Sequence, residues 1–432
     1  MERVTATVQA DGGVTGTGSV FVINNNGDNA LTTLRYRLRN ADFQAAEDPF
    51  ELAGHSFARG SYVVRNVTAS QLDKTARELG VVAYAVATTP AVRMHPARAA
   101  RVAIMHTWSS TQTEGWWRQA FDALHIPFSY ISVQDAAKDP DLNAKYDVIL
   151  FPPSGSVQSI VQGMPMWRNP MPWKKTALTP NMGVWDQTDD VRPGLGFQGV
   201  QNIENFVARG GVLVGVSSTA DLAITYGLAS GVSANRTGRS KVVGSLLRTR
   251  IVDDASPLVY GVSDSLAVYS EDGGSFSVSN TRGGRGGRGG DGESVRATGR
   301  GTVDDPDVTQ GRPALAPRNM APPVVAAEPW QAAPITDEQL RNPLSVIPPE
   351  QRPRVALRFA DQRSLLVSGL LDGGGEIAQR PVVVDVPMQK GHVVLFANNP
   401  IYRGETVGAY PLVFNAILNF DHLDAGRKLD AK

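Results

Sequence analysis

The sequence predicts an α/β protein in two parts: a small α/β unit to about residue 90, then an open parallel-sheet domain carrying a long insertion. Three observations carry this reading. Short continuous apolar runs such as "VAIM", "VILF" and "VLVGV" have the make-up of strands covered on both faces. Stretches with apolar residues at helical spacing alternate with them, the pattern of a parallel sheet with crossover helices. From residue 279 to 353 the composition changes to Gly, Arg and Pro, as in "TRGGRGGRGGDGE" and "APRNMAPPVVAAEPWQAAP". Such a stretch buries too little apolar surface to offset its ordering entropy.

In the first unit, 1–90, "GSVFVINNNGDN" reads as a strand ending in an Asn/Gly turn. "ALTTLRYRLRNAD" places Leu31, Leu34 and Leu38 at helical spacing, and "GSYVVRN" is a second strand. "TASQLDKTARELG" is a helix with a Ser/Thr cap before it and Gly80 behind it. Residues 91–100, which contain Ala and Pro, are expected to form a linker.

The second unit opens at 101 with the strand "RVAIMHTW" and the helix "TEGWWRQAFDALHI", whose Trp117, Ala120, Phe121 and Leu124 share one face. "FSYISV", "KYDVILFPP", the helix "GVQNIENFVARGG" and the strand "VLVGV" follow within a first portion ending at 278. Between Gly163 and Gly199 lies a Pro-, Met- and Trp-rich excursion holding Trp167, Trp173 and Trp185, which is expected to pack onto its own domain. After the insertion, 354–425 completes the domain with "RSLLVSGLL", "RPVVVDVPM", "GHVVLFANNP" and the helix "YPLVFNAILNF". The insertion thus interrupts one domain and does not separate two.

Composition narrows the function classes. The chain has 42 basic and 42 acidic side chains, so no net field draws it to nucleic acid or an anionic membrane. Its three RGG repeats have no interleaved aromatic residues and read as a solvated insertion. No apolar run approaches the roughly 18 residues of a membrane span. "MERVTATVQADGGV" lacks the apolar core of a secretory signal. With no Cys, thiolate nucleophiles and Cys-ligated metals are excluded. The six histidines (His55, His95, His106, His125, His392 and His422) show no metal-ligand spacing, so neither a metal nor a cofactor is expected.

"GGVLVGVSSTADLA", from Gly210 to Ala223, has the shape of a nucleophile elbow: an apolar strand, a small-residue turn and an amphipathic stretch. The order of strands and helices around it resembles the class I glutamine amidotransferase fold, with flavodoxin-like topology. That family's elbow reads Gly-Ile-Cys-x-Gly-His-Gln, and a late strand delivers His-Pro-Glu. On this chain Ser217 takes the Cys position and Thr219 replaces the second Gly; Asn399 falls where the His stands and Ile401 where the Glu stands. A hydroxyl nucleophile needs a base and the base an orienting partner. Asn399 and Ile401 supply neither. His106 is the one substitute base the sequence offers, because it ends a strand of the same sheet.

A second resemblance rests on several passages in order. "GSVFVINNNGDNALTTLRYRLRNADFQAAEDPFELAGHSFARGSYVV", "LDKTARELGV", "RVAIMHTWSSTQTEGWWRQAFD", "GLGFQGVQNIENFVARGGVLV" and "GHVVLFANNPIYRGETVGAYPLVFNAIL" are similar to the region downstream of the catalytic domain in large bacterial zinc carboxypeptidases. Those peptidases carry His-x-x-Glu, a distant His and a Glu base upstream of this region, none of it present in these residues. The resemblance implies a role in bacterial proteolysis, a periplasmic or secreted setting and a non-catalytic accessory part, docking to a zinc carboxypeptidase catalytic domain or presenting its substrate. Trp167 and Trp173 are the candidate docking residues. The alternatives are a serine hydrolase or amidase built on Ser217 and His106, and a small-ligand module. The latter would use the crevice of Phe151, Ser154, Ser217, Ser218 and Thr219.

Overall fold

A computed structural model describes residues 10–166, 169–235, 240–281, 330–332, 334–341 and 345–429. In the first unit the strands are β1 (Gly13–Gly16), β2 (Val20–Ile23), β3 (Asp42–Ala46), β4 (Phe50–Leu52), β5 (His55–Phe57), β6 (Tyr62–Arg65), β7 (Val82–Val86) and β8 (Met94–Pro96). Helix α1 (Ala30–Arg37) follows β2 and α2 (Ala69–Leu79) follows β6. The sheet order is β1-β7-β2-β6-β3-β8, in which β1 alone runs parallel to its neighbour. Its centre, β2-α1-β3-β6-α2-β7 ordered β7-β2-β6-β3, is the split βαβ, ferredoxin-like arrangement.

Helix α2 starts where the sequence signals it. Thr68 caps Gln71 in a reciprocal capping box, and Gly80 ends the helix in a left-handed conformation. Strand β2 is buried on both faces: Phe21 and Ile23 enter the main core, while Val20 and Val22 join a small cluster with Phe57, Val63 and Val86. Met94–Pro96, expected in the linker, instead adds an edge strand to this sheet.

The second unit begins β9 (Val102–His106), α3 (Gln112–Ala123), β10 (Ser129–Ser132), α4 (Val133–Lys138), β11 (Val148–Phe151), α5 (Val157–Gln162), α6 (Gly196–Ala208), β12 (Val212–Val216) and α7 (Ser218–Thr225). It continues with β13 (Val232–Asn235), β14 (Lys241–Val242), β15 (Ser245–Ile251), β16 (Ser265–Ser270) and β17 (Ser275–Val278). Beyond these come α8 (Asp337–Leu340), β18 (Arg354–Phe359), β19 (Leu366–Ser368), β20 (Leu371–Asp372), β21 (Pro381–Met388), β22 (Gly391–Phe396) and α9 (Tyr410–Leu418).

Five parallel strands run β10-β9-β11-β12-β22, the 2-1-3-4-5 order of flavodoxin-like sheets. Antiparallel strands β21, β18, β15 and β16 extend the sheet beyond β22, and β19 pairs with β15. The parallel half therefore follows the sequence expectation, and the antiparallel half is a feature the sequence reading did not contain. Most of the expected insertion lies outside the described residues. At its margins Thr281 bridges Val346 and Ile347 is fully buried.

The two units share one continuous apolar core. Polar contacts fix their joint: Tyr36 donates to the Ala100 carbonyl at 2.8 Å, Arg35 to Ala97 at 2.7 Å, and His95 Nε2 lies 3.0 Å from Asn419 Oδ1. The Tyr260 side chain sits directly on Gly60, where an added Cβ would fall 2.4 Å from the Tyr260 Cβ. Only a glycine admits that approach.

Candidate functional site at the carboxyl edge of the parallel strands

In a 2-1-3-4-5 sheet the ligand crevice lies where strand order reverses, between β9 and β11 at their carboxyl ends. Thr107, just past β9, and Ser154, just past β11, meet across that point with hydroxyl oxygens 2.6 Å apart. The Ser218 hydroxyl donates to the Ser154 carbonyl at 2.8 Å and accepts from the Ser154 N–H at 3.1 Å. Phe151 contributes its carbonyl, which accepts from the Thr219 hydroxyl at 2.5 Å; its own ring is buried. The proposed crevice residues are thus brought together.

Ser217 stands at the apex of a true elbow. Its backbone has φ 53° and ψ −115°, a conformation costly for a residue with a Cβ and found at strand-to-helix nucleophile turns. Gly215 lets α7 fold back closely, since a Cβ there would lie 3.1 Å from the Ala220 Cα. The apex is stapled from two sides. Ser217 N–H donates to the Phe396 carbonyl at 2.8 Å, and the buried Thr219 hydroxyl accepts from Val216 N–H at 2.7 Å.

No base meets this serine among the described residues. Asn399 is buried, and its amide oxygen accepts from Trp117 Nε1 at 3.2 Å and from Ile401 N–H at 3.3 Å. Ile401 is itself fully buried. His106 sits on β9, two strands from β12 and so roughly 10 Å away laterally. Its Nε2 faces Asp186 Oδ2 at 2.8 Å, its Nδ1 faces the Thr107 carbonyl at 3.2 Å, and its ring stacks on Tyr130. The pairing of Ser217 with His106 is therefore not formed. Accordingly, a serine-reactive fluorophosphonate is expected to leave Ser217 unlabelled at the background level of Ser217→Ala, as intact-mass measurement would read. Stoichiometric labelling lost in that variant would restore the hydrolase reading.

His106 instead anchors the Trp-rich excursion. Asp186 and Trp185 come from that excursion, and Arg118 of α3 lies between the Tyr130 and Trp185 rings, 4.4 and 4.2 Å from their centroids. Beneath them Glu114 is buried, its Oε1 accepting from the Tyr130 hydroxyl at 2.6 Å. Burial pushes the Glu114 carboxyl up, against the Tyr130 hydrogen bond and the Arg118 charge. Gln134 of α4 donates to the Asp190 and Pro193 carbonyls, and Trp173 pairs with Thr188 backbone to backbone.

The excursion exposes large apolar side chains among polar ones. Met166, Met171, Trp173, Leu178, Val184 and Trp185 are all exposed, Trp173 by 47% and Trp185 by 61%. Trp167 lies outside the described residues. A 580 Å³ open groove runs between α4 and the excursion, lined by Gln134, Lys138, Lys174 and Asp189 among others, well away from the elbow.

Among the described residues, one cluster has side chains of metal-ligating type. Asp385, His392 and Asp424 offer atoms within 4.8 Å of one another at the opposite end of the sheet. The two carboxylates take opposite ring nitrogens, Asp385 at Nδ1 (2.8 Å) and Asp424 at Nε2 (3.5 Å). Arg427 lies against both. A cation on either ring nitrogen would have one carboxylate beside it and a guanidinium in its way, so the arrangement is that of an ion-paired network.

No protein-family model matches the chain, and no curated protein is significantly similar to it in sequence. Among solved structures, one described as a ThuA-like protein from Bacteroides uniformis is similar at TM-score 0.37 and 12% identity, covering 78% of this chain and 97% of that one. PurLQS from Thermotoga maritima is similar at TM-score 0.34 and 14% identity, covering 74% and 98%. A β-galactosidase from Bacillus circulans is similar at TM-score 0.33 and 11% identity, covering 81% of this chain and 33% of the enzyme. Likeness this low bears on neither site nor activity.

Proposed function

We propose that this chain is a non-catalytic docking portion of a bacterial zinc-carboxypeptidase-like protein, built on a degenerate amidotransferase-like sheet. Its elbow holds Ser217 in a nucleophile's conformation while the base and orienting positions are Asn399 and Ile401, which supports a scaffold and not a hydrolase. The observation that carries the docking role is the excursion: it is fastened to the sheet by Asp186 on His106 and by Gln134, while Met171, Trp173 and Trp185 are exposed. An exposed apolar face on a fastened support suits partner binding, because little ordering entropy is lost when it docks.

The test is to mix the chain with a separately expressed zinc-carboxypeptidase catalytic domain. Trp173→Ala is expected to weaken binding by at least about 2 kcal/mol, the loss typical of hot-spot aromatics. Unchanged binding by a folded variant would overturn the assignment of this face.

A small-ligand module is favoured by one specific observation. Asn398, next to the elbow strand's neighbour β22, is buried with both side-chain amide atoms unpartnered, and buried amides are ordinarily satisfied by protein, water or ligand. A thermal-shift screen of small polar metabolites, repeated on Ser218→Ala, tests it: stabilisation lost in the variant supports a ligand at the crevice.

A further inference from the structure

We infer that residues 421–427 form a proton-locked clasp, fastened to the sheet by a doubly protonated His392 held between Asp385 of β21 and Asp424. The geometry favours both protons. Each ring nitrogen faces a carboxylate oxygen, at 2.8 Å on the Asp385 side and 3.5 Å on the Asp424 side. Ionised carboxylates only accept, and a neutral imidazole has one donor and one lone pair. Either neutral tautomer would therefore turn a lone pair toward an anion. His392 and Asp385 are 6% and 1% exposed, so water does not relieve that repulsion on the Asp385 side, whereas the Asp424 carboxylate is 57% exposed and partly solvated.

The Arg427 guanidinium opposes a second cation, but Asp385 and Asp424 outnumber it. Arg427 Nη2 lies 3.7 Å from Asp385 Oδ2, and its Nε lies 3.0 Å from Asp424 Oδ1. Arg354 of β18 donates to the Leu423 and Ala425 carbonyls and to Asp253. Asp421 pairs with Arg98 and His422. Two carboxylates, Arg427 and an imidazolium make a balanced group; loss of the imidazolium proton leaves excess negative charge beside a buried carboxylate.

Burial alone would lower the His392 pKa, but the Asp385 charge and the hydrogen bonds to Asp385 and Asp424 outweigh it and raise it to about 9. Because the folded-state pKa lies above the ordinary value of about 6.5, the clasp is at full strength below that value. It weakens as pH rises through about 9. The Arg354 bonds do not titrate in this window, so the Leu423 and Ala425 carbonyls keep their donor while the His392–Asp424 contact weakens and the turn's own amide bonds open more often. This inference is independent of the docking role, since the clasp lies at the other end of the strands from the elbow.

Hydrogen exchange of the full chain tests it. The Ala425 N–H bonds to His422 and the Arg427 N–H to Asp424, and both amides report the clasp. Between about pH 7 and pH 10, their protection factors, corrected for intrinsic rate, are expected to fall about tenfold or more, while β21 and β22 keep theirs. His392→Gln cannot titrate and should give protection that is flat across the same range. Asp424→Asn, at a half-exposed position, should show reduced protection already at neutral pH. Flat protection in the unaltered chain, or an undiminished pH-dependent fall in His392→Gln, would overturn the inference.

Discussion

Trp117→Ala is expected to lower the unfolding free energy by about 3–5 kcal/mol, the cost of deleting a fully buried large aromatic. Trp117 is 0% exposed and lies mid-helix in α3, which packs on β9. Its loss removes the apolar contact and opens a cavity that surrounding side chains only partly fill. It also removes the Nε1 donor to Asn399, a side-chain bond tying α3 to the loop after β22. Trp117→Phe separates the two parts. Most of the apolar volume stays, Asn399 Oδ1 still accepts from Ile401 N–H, and the expected loss is about 1–2 kcal/mol. Urea denaturation followed by tryptophan fluorescence and circular dichroism reads both variants. A shifted midpoint with an unchanged slope marks a stability change alone. A cost below about 1 kcal/mol for the alanine variant would mean that α3 is anchored by other contacts.

How much of this was legible in the sequence depends on whether burial coincides with apolar residue type. Strands β9, β11, β12 and β22 are buried along their whole length and nearly all apolar, so their runs stand out. The face of α3 was visible for the same reason: Trp117, Ala120 and Phe121 are buried and Leu124 packs at the core margin. Strand β15 was hidden because the residues it buries alternate as Ser245, Leu247 and Thr249, with Leu246 on the other side. Strand β18 was hidden by arginines: Arg354 and Arg358 are both buried, the first against Asp253 and two carbonyls. A buried arginine reads as surface in any apolar pattern.

The site divides along the same line. The elbow and the crevice residues Phe151, Ser154, Ser217, Ser218 and Thr219 follow from local strand-to-helix order. The His106–Asp186 pair joins residues 80 apart, and the His392 cluster joins a strand to a turn after α9. Neither leaves a spacing signal. The two described tryptophans of the excursion are both exposed but held differently: the Trp185 ring lies against Arg118, whereas Trp173 is held through its backbone pairing with Thr188.

The residue that maintains the elbow is Thr219 and not Ser217, and substitution should separate the two by a wide margin. Thr219→Val is expected to cost about 2–4 kcal/mol, because it keeps the shape and removes a buried hydroxyl with two partners. That hydroxyl is buried between β11 and β12: it accepts from Val216 N–H at 2.7 Å and donates to the Phe151 carbonyl at 2.5 Å. In the valine variant an N–H and a carbonyl at the ends of two central strands lose this partner together, in a place water does not reach. Ser217→Ala removes a half-buried hydroxyl with no base attached and leaves the Ser217 N–H bond to Phe396 intact, so its cost should stay within about 1 kcal/mol. Ser217→Gly should be neutral to stabilising, because it relieves the left-handed φ of 53°, offset by the greater freedom of the unfolded chain. Equilibrium unfolding of the three variants gives the order Gly ≥ Ala > Val in stability. If Ser217→Ala instead proved as costly as Thr219→Val, the Ser217 hydroxyl would have a buried partner, and the elbow would again be a candidate for chemistry.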